Sequence, residues 1–295
     1  MNQDYIKAGK IASLVRNKIK KKNLIGLSVY EICEKVEHEI MYQGGRCAFP
    51  VNVSINDVAA HYTAEPEDQK IIADKDLVKI DLGVQINGYI ADTATTISCD
   101  YNDDNLVEIT ENALKNAMLI IEPGIKSNNI SKIIEETITQ SGYKPIVNLS
   151  GHSLDKYTIH AGKSLPNIWS AEYFLLSSGD VYACEPFVTT EYGSGLVKEG
   201  NIKNIFALVS RKKTKDDELD EFIEYIWNKF NMLPFSLRWI HEQWNKKKSK
   251  ELLDKLIKKK SIHAYPILLE SNNQKVAQAE HTFIPIDNGV NIITN

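Results

Sequence analysis

No run of eighteen apolar residues occurs in the 295-residue sequence, which argues against a membrane-spanning helix. Cysteine is scarce. Cys33, Cys47, Cys99 and Cys184 show no CxxC spacing, so neither a zinc cluster nor a disulfide framework is indicated, and reduced, mostly buried thiols are expected. Neither sign of charge dominates, with 35 Lys+Arg against 39 Asp+Glu and a net charge of −4. That balance carries no polybasic signature, and no DNA or membrane partner is expected. The N-terminus, "MNQDYIKAGKIASLVRNKIKKKN", lacks the apolar core of a signal peptide and reads as a charged amphipathic helix, so a cytoplasmic protein is expected. A chain this long buries roughly three quarters of the surface its unfolded form exposes, enough for one large domain with an insertion.

What is present is more specific. In "KIDLGVQINGYIADTATTI", residues 79–97, Ile80, Leu82, Val84 and Ile86 alternate with Asp81, Gly83 and Gln85, the period of a strand. Asn87-Gly88 suits a type I′ turn, so the segment reads as a hairpin. A two-residue loop sets Asp92 opposite Gly83 and Asp81 opposite Ala94. The two carboxylates then share one face as diagonal neighbours, roughly 7–8 Å apart at the backbone. Two such charges in a half-buried sheet do not both stay ionised unless a cation lies between them, and a divalent metal is the natural one.

Along the chain, residues 4–22 and 28–43 read as helices, the second with Ile32, Val36, His38, Ile40 and Met41 partly at helical spacing. "GGRCAFPVNVSINDVAAHY" gives a loop and a strand ending at His61. A third helix follows Asp103 or Asp104 as its expected cap and stops at Pro123-Gly124, and a fourth runs from Ser127 or Asn128 to Gly142. "GDVYACEPFV" and "KVAQAEHTFIPI" read as strands. Between them the character changes. Residues 211–263 carry fourteen Lys/Arg against nine Asp/Glu, and two amphipathic helical patterns place Leu219, Phe222, Ile223, Ile226 and Phe230, then Leu252, Leu253, Leu256 and Ile257, on single faces. The expectation is a mixed α+β body with an inserted helical subdomain.

Asp81, Asp92, His152, Glu185 and Glu280 interrupt apolar strands or sit in Gly-rich loops. Four carboxylates and one imidazole match the charge of two divalent cations, and oxygen-dominated ligation with one nitrogen suits Mn²⁺, Fe²⁺, Co²⁺ or Zn²⁺ alike. His61 in "AAHYT" and His160 in "YTIHAG" remain. A site that hydrolyses an amide needs groups that steady the developing oxyanion and the leaving nitrogen, and these two histidines are the candidates. His38, His241 and His263 fall on helical patterns and are read as structural. His281 and Cys184 neighbour Glu280 and Glu185 in strands and should face away from the site.

"AAHYT", "KIDLGV" with "IADTATT", "GHSLDKYTIHAGKSLPN", "YACEPF" and "QAEHTF" occur in the order found in methionine aminopeptidases. The chain resembles that family from about Phe49 to Ile286, and the helical insertion and short N-terminus resemble its archaeal type 2 branch. The resemblance implies the pita-bread fold, with residues 1–207 and 266–295 forming the catalytic domain and 208–265 a winged-helix-like insertion. It implies that Asp81 chelates one metal ion, that Asp92 and Glu280 bridge two, and that His152 and Glu185 complete the other. Glu185 would shuttle a proton from the attacking water to the leaving amine, His61 would contact the scissile amide, and His160 would donate to the carbonyl oxygen. Phe49, Ile159, His160 and Tyr265 match family pocket positions, Tyr265 from the insertion's last turn. The implied activity is removal of initiator methionine from nascent polypeptide N-termini whose second residue is small. The sequence shows no oligomer seam, so a monomer is expected, and the insertion's lysines are the surface that could face the ribosome. A pocket histidine found downstream of the first glutamate motif in some type 2 members is missing from residues 189–207. Prolidases share the fold but carry a sizeable N-terminal domain, and non-enzymatic binding relatives have lost metal ligands that this chain retains.

Overall fold

The computed structural model describes residues 2–241, 244–287 and 289–295. Its centre is the expected hairpin. Leu77–Ile86 and Tyr89–Ser98 pair antiparallel in full register, with Asp81 opposite Ala94 and Gly83 opposite Asp92. Asn87 and Gly88 hold φ of 52° and 89°, the left-handed pair that a type I′ turn requires and that Asn and Gly adopt at least cost.

This hairpin lies within a nine-stranded antiparallel sheet among the described residues. Glu280–Ile286 adds to the hairpin's second strand, Val181–Cys184 follows, and Ser150–Leu154 pairs beyond it. On the other side Asn52–Ile55 pairs with Leu77–Ile86, setting Asn52 against Asp81. The segment expected as one strand before His61 is thus two short strands, Asn52–Ile55 and Val58–Ala60, hinged at Asn56, whose φ is 54°.

Helices cover the back of the sheet. α1 (Gln3–Lys20) is capped by Asn2, and α2 (Val29–Tyr42) by a Ser28/Glu31 capping box. α1 buries its apolar face against the hairpin and α2 against the neighbouring Asn52–Ile55, in one core with Ile80, Leu82 and Val84. In α2 the buried face is Ile32, Cys33, Val36 and Ile40, whereas His38 and Met41, expected to share it, are exposed. α3 (Asp104–Leu119) and α4 (Ser127–Gln140) pack on Tyr182, Cys184 and Phe283. The cap expected at Asp103 does not form. Asp103 precedes the helix, but its carboxylate is drawn 2.6 Å from Lys275 Nζ, and Asp100 caps the preceding 3-10 turn instead.

Val197–Leu208 and Ile262–Glu270 form a long antiparallel ladder. Between them α5 (Asp217–Phe230) and α6 (Lys246–Lys258), capped by Asp216 and Asn245, close over an apolar cluster of their own, built on Leu219, Phe222, Phe235 and Leu252. His263 and Tyr265, expected on a helical stretch and a final turn, instead lie on the Ile262–Glu270 strand. His241 follows a 3-10 turn rather than sitting in a helix.

Candidate metal centre

The front of the sheet, opposite α1, is where its polar residues gather. Strand alternation sends Thr93 and His281 to the back. There the Arg16 guanidinium, from α1, lies 2.9 Å from the Thr93 hydroxyl and 3.0 Å from His281 Nδ1. Asp92 and Glu280, each one residue away, therefore face forward.

The two strands that carry them are stitched by side chains. Thr282 Oγ1 accepts from the Asp92 amide and donates to the Asp92 carbonyl, both at 2.7 Å. Thr93 Oγ1 donates to the Glu280 carbonyl at 2.8 Å. All three hydrogen bonds are buried, so the backbone positions of Asp92 and Glu280 are fixed relative to one another.

His152, on Ser150–Leu154, brings its Nε2 to 3.5 Å from Glu185 Oε1 and 3.9 Å from Asp92 Oδ2. Asp92, His152 and Glu280 each present a ligand atom, all within 4.8 Å of one another. Glu185 follows the end of Val181–Cys184, and Cys184 itself points into the back core, as expected. Asp81 and Glu185 approach a common donor, Gln278 Nε2, at 3.3 and 3.5 Å.

All ten residues singled out from the sequence line one cavity of about 580 Å³. The carboxylates and His152 form its floor. His160 stands exposed at the mouth, its ring 4.5 Å from that of His152. His61, held at φ 66°, lies edge-on to Tyr265 with ring centres 5.8 Å apart. Phe49 and Ile159 complete the apolar side. Sequence reasoning missed further residues of the site. Asn52 is a polar lining residue, and Gln278, the donor shared by Asp81 and Glu185, stands within the quoted motif "QAEHTF" two residues before Glu280. Met232 and Pro234 come from the insertion and carry no chemical signature.

The electrostatics of the floor favour either bound protons or a bound cation. Burial pushes the carboxyl pKa values of Asp81, Asp92, Glu185 and Glu280 upward, and mutual repulsion raises those of Asp92, Glu185 and Glu280 further. Asp81 Oδ1, Asp92 Oδ1 and both Glu280 oxygens are buried with no hydrogen-bond partner among the described residues. The lysine that lines the cavity, Lys163, commits its ammonium to Asp180 and Tyr182. Anionic oxygens left this way cost several kcal/mol each, about 2–5, unless a positive charge reaches them. The donor set, carboxylate oxygens with one imidazole nitrogen, fits a divalent metal.

The histidines are tuned to stay neutral. Burial lowers His152 to about 3 and His61 to about 4. A neutral His152 keeps a lone pair for a metal. His61 Nδ1 lies 3.2 Å from the Pro266 carbonyl, which can only accept, so Nδ1 carries the proton and Nε2 is left as an acceptor.

Residues 3–207 match metallopeptidase family M24. A methionine aminopeptidase of Methanocaldococcus jannaschii is 41% identical over 292 residues, which span 99% of this chain and 98% of the relative. Among solved structures, a thermophilic Arx1 aligns with a TM-score of 0.84 at 19% identity, covering 99% of this chain and 89% of that one. A methionine aminopeptidase from Thermotoga maritima aligns with a TM-score of 0.71 at 20% identity, covering 100% and 98%.

Proposed function

The chain belongs to metallopeptidase family M24 and has the family's pita-bread fold, and we propose that the cavity floor is a dinuclear metal centre that hydrolyses the first peptide bond of methionine-initiated chains. The activity is removal of the N-terminal initiator methionine where the second residue is small. The observation that carries the site is the cluster of Asp81, Asp92, Glu185 and Glu280 around His152, with carboxylate oxygens that nothing in the described chain satisfies.

Asp81, Asp92, His152, Glu185 and Glu280 would hold the metal. Divalent ions bound there lower the pKa of water towards neutrality and polarise a carbonyl. The chain's own residues do the rest. Glu185, whose pKa burial raises, is suited to take up a proton and return it to the departing amine. His61 Nε2 accepts from the scissile amide N–H, the role its tautomer leaves open. His160, at the mouth and beside His152, donates to the carbonyl oxygen as charge develops there. Phe49, Ile159 and Tyr265 enclose the methionine side chain.

Residues 1–207 and 266–295 act in this reading as the catalytic unit and 208–265 as the winged-helix-like insertion, a division supported by the insertion's separate apolar cluster. The same reading makes the protein a cytoplasmic monomer that meets its substrates as nascent chains, with the lysines of α6 available to ribosomal RNA. Among the described residues no helix is long and apolar enough to cross a membrane. Calorimetric titration of metal-stripped protein with Mn²⁺ tests the centre. Two equivalents bound, and fewer by Asp92→Ala, are expected; one equivalent with unchanged binding by that variant would refute the dinuclear assignment.

A further inference from the structure

Segment 232–239 of the insertion meets the catalytic body in an unusual way. Met232 and Pro234 line the cavity, while Leu233 between them is buried in the main body's core, the cluster to which α1 and α2 also contribute. Phe235 then exchanges both backbone hydrogen bonds with Phe206, at 2.7 and 2.9 Å.

Three residues later comes Arg238, whose side chain is only 2% exposed. All five of its N–H groups are used. Nη2 and Nη1 grip the Glu37 carboxylate at 2.8 and 3.0 Å, and Nη1 also donates to Glu34 at 2.6 Å. Nη2 donates to Thr63 Oγ1 at 3.1 Å and Nε to the Ala64 carbonyl at 2.8 Å. Glu37 in turn accepts from the Trp239 indole at 2.8 Å and from the Val51 amide at 3.1 Å.

Those partners adjoin cavity-lining residues of the main body. Val51 sits between the lining residues Phe49 and Asn52, and Thr63 and Ala64 follow the lining residue His61. One guanidinium thus joins the wall supplied by the insertion to the wall supplied by the body. A buried ion pair contributes little net stability compared with apolar packing, but a planar five-donor fork with every donor engaged dictates geometry.

We propose that Arg238 is a positioning residue that sets the width of the substrate cavity, holding Met232 and Pro234 at a fixed distance from the wall carrying Phe49 and His61. This rests on the aminopeptidase reading, because width matters where a side chain and the residue after it must fit. Segment 232–239 carries none of the candidate metal ligands, so loosening it alters substrate contacts and leaves metal uptake intact. Apolar wall contacts of this kind hold ground state and transition state alike, and their loss falls on KM more than on kcat.

The test compares metal-loaded wild type, Arg238→Met and Arg238→Lys on Met-Gly-Ser and Met-Leu-Ser, with metal affinity measured on stripped protein. Lys246→Ala serves as the control, since it breaks another insertion-to-body ion pair, Lys246–Glu67, whose side chains are 49% and 77% exposed. Both Arg238 variants are expected to raise KM for Met-Gly-Ser about ten-fold and to cut the preference for glycine over leucine by about as much, the range in which a hydrophobic wall discriminates. Metal affinity and kcat should stay within about three-fold, and Lys246→Ala should match wild type. Lysine fails to rescue because it cannot present the fork. If Arg238→Met does not fold, Trp239→Phe, which removes one donor to Glu37 and leaves a smaller aromatic ring, should show the same KM shift in weaker form. Unchanged KM and preference in a folded Arg238 variant, or in Trp239→Phe if it alone folds, overturn the proposal, as does an equal loss of metal affinity. Wild-type protein that leaves Met-Gly-Ser intact with metal bound overturns the aminopeptidase reading itself, before any variant is compared.

Discussion

Stripping the metal and following the melting temperature from pH 6.5 to 8.0 reads the charge state of the cavity floor. Burial raises the folded pKa of Asp81, Asp92, Glu185 and Glu280 above the unfolded carboxylate range. A group raised in this direction contributes stability that is fully present below its unfolded pKa and is lost as the pH rises through its folded value. The metal-free protein therefore carries protons that the metal must displace, and metal affinity increases with pH. Each displaced proton strengthens apparent binding by about 1.4 kcal/mol per pH unit. At about 2–4 °C per kcal/mol for a chain of this size, saturating Mn²⁺ should raise the melting temperature by about 3–6 °C more for each pH unit and each displaced proton. His61 and His152, depressed to about 4 and 3, stay neutral in the fold across this window, so the stability lost towards pH 6.5 as the unfolded histidines take up protons is common to both forms and cancels in the difference. Lys79, lowered by burial to about 7 and bonded to the Asn56 and Val276 carbonyls, shifts both forms alike and cancels in the difference. Differential scanning calorimetry at fixed free Mn²⁺ supplies the numbers. A metal-induced shift that stays flat or shrinks with rising pH would mean that the carboxylates are already ionised without metal, and the electrostatic reasoning would fail.

Asp92→Ala should abolish turnover and weaken metal uptake, whereas His160→Ala should lower kcat by about 10²–10³ with metal retained, the cost of losing one oxyanion donor; steady-state kinetics beside calorimetry separates the two. Gly151 has no room for a side chain, because a methyl group there would stand 2.3 Å from the Ala183 carbonyl oxygen. Gly151→Ala should lose about 1–3 kcal/mol in urea unfolding and shift the adjacent His152, weakening metal uptake. A methyl group on Gly83 meets the Phe49 ring at 2.3 Å. Gly83→Ala should raise KM with metal affinity kept, and unchanged KM would remove Phe49 from the pocket wall.

Much of this was legible in the letters because it rests on local rules. The alternation around Asp81 and the Asn-Gly turn dictate a register that the hairpin adopts, and that register alone puts Asp81 and Asp92 on one face. The partners His152, Glu185 and Glu280 stand out by their chemistry, as polar residues that interrupt apolar strands or sit in Gly-rich loops. What stayed hidden depends on tertiary competition. Asp103 has the composition of a cap, but Lys275, distant in sequence, takes its carboxylate. Tyr265 and His263 carry no strong strand pattern of their own, and their strand exists because Val197–Leu208 offers a ladder to pair with. Arg238 looks like any surface arginine in a basic insertion. Only the fold brings Glu34, Glu37, Thr63 and Ala64 around it.

Methionine release from Met-Gly-Ser and Met-Leu-Ser by metal-stripped protein, titrated separately with Mn²⁺, Fe²⁺, Co²⁺ and Zn²⁺, tests the central claim most directly. Metal-dependent cleavage confined to the glycine peptide is the predicted result. Folded protein that releases no methionine with any of the four ions would contradict it.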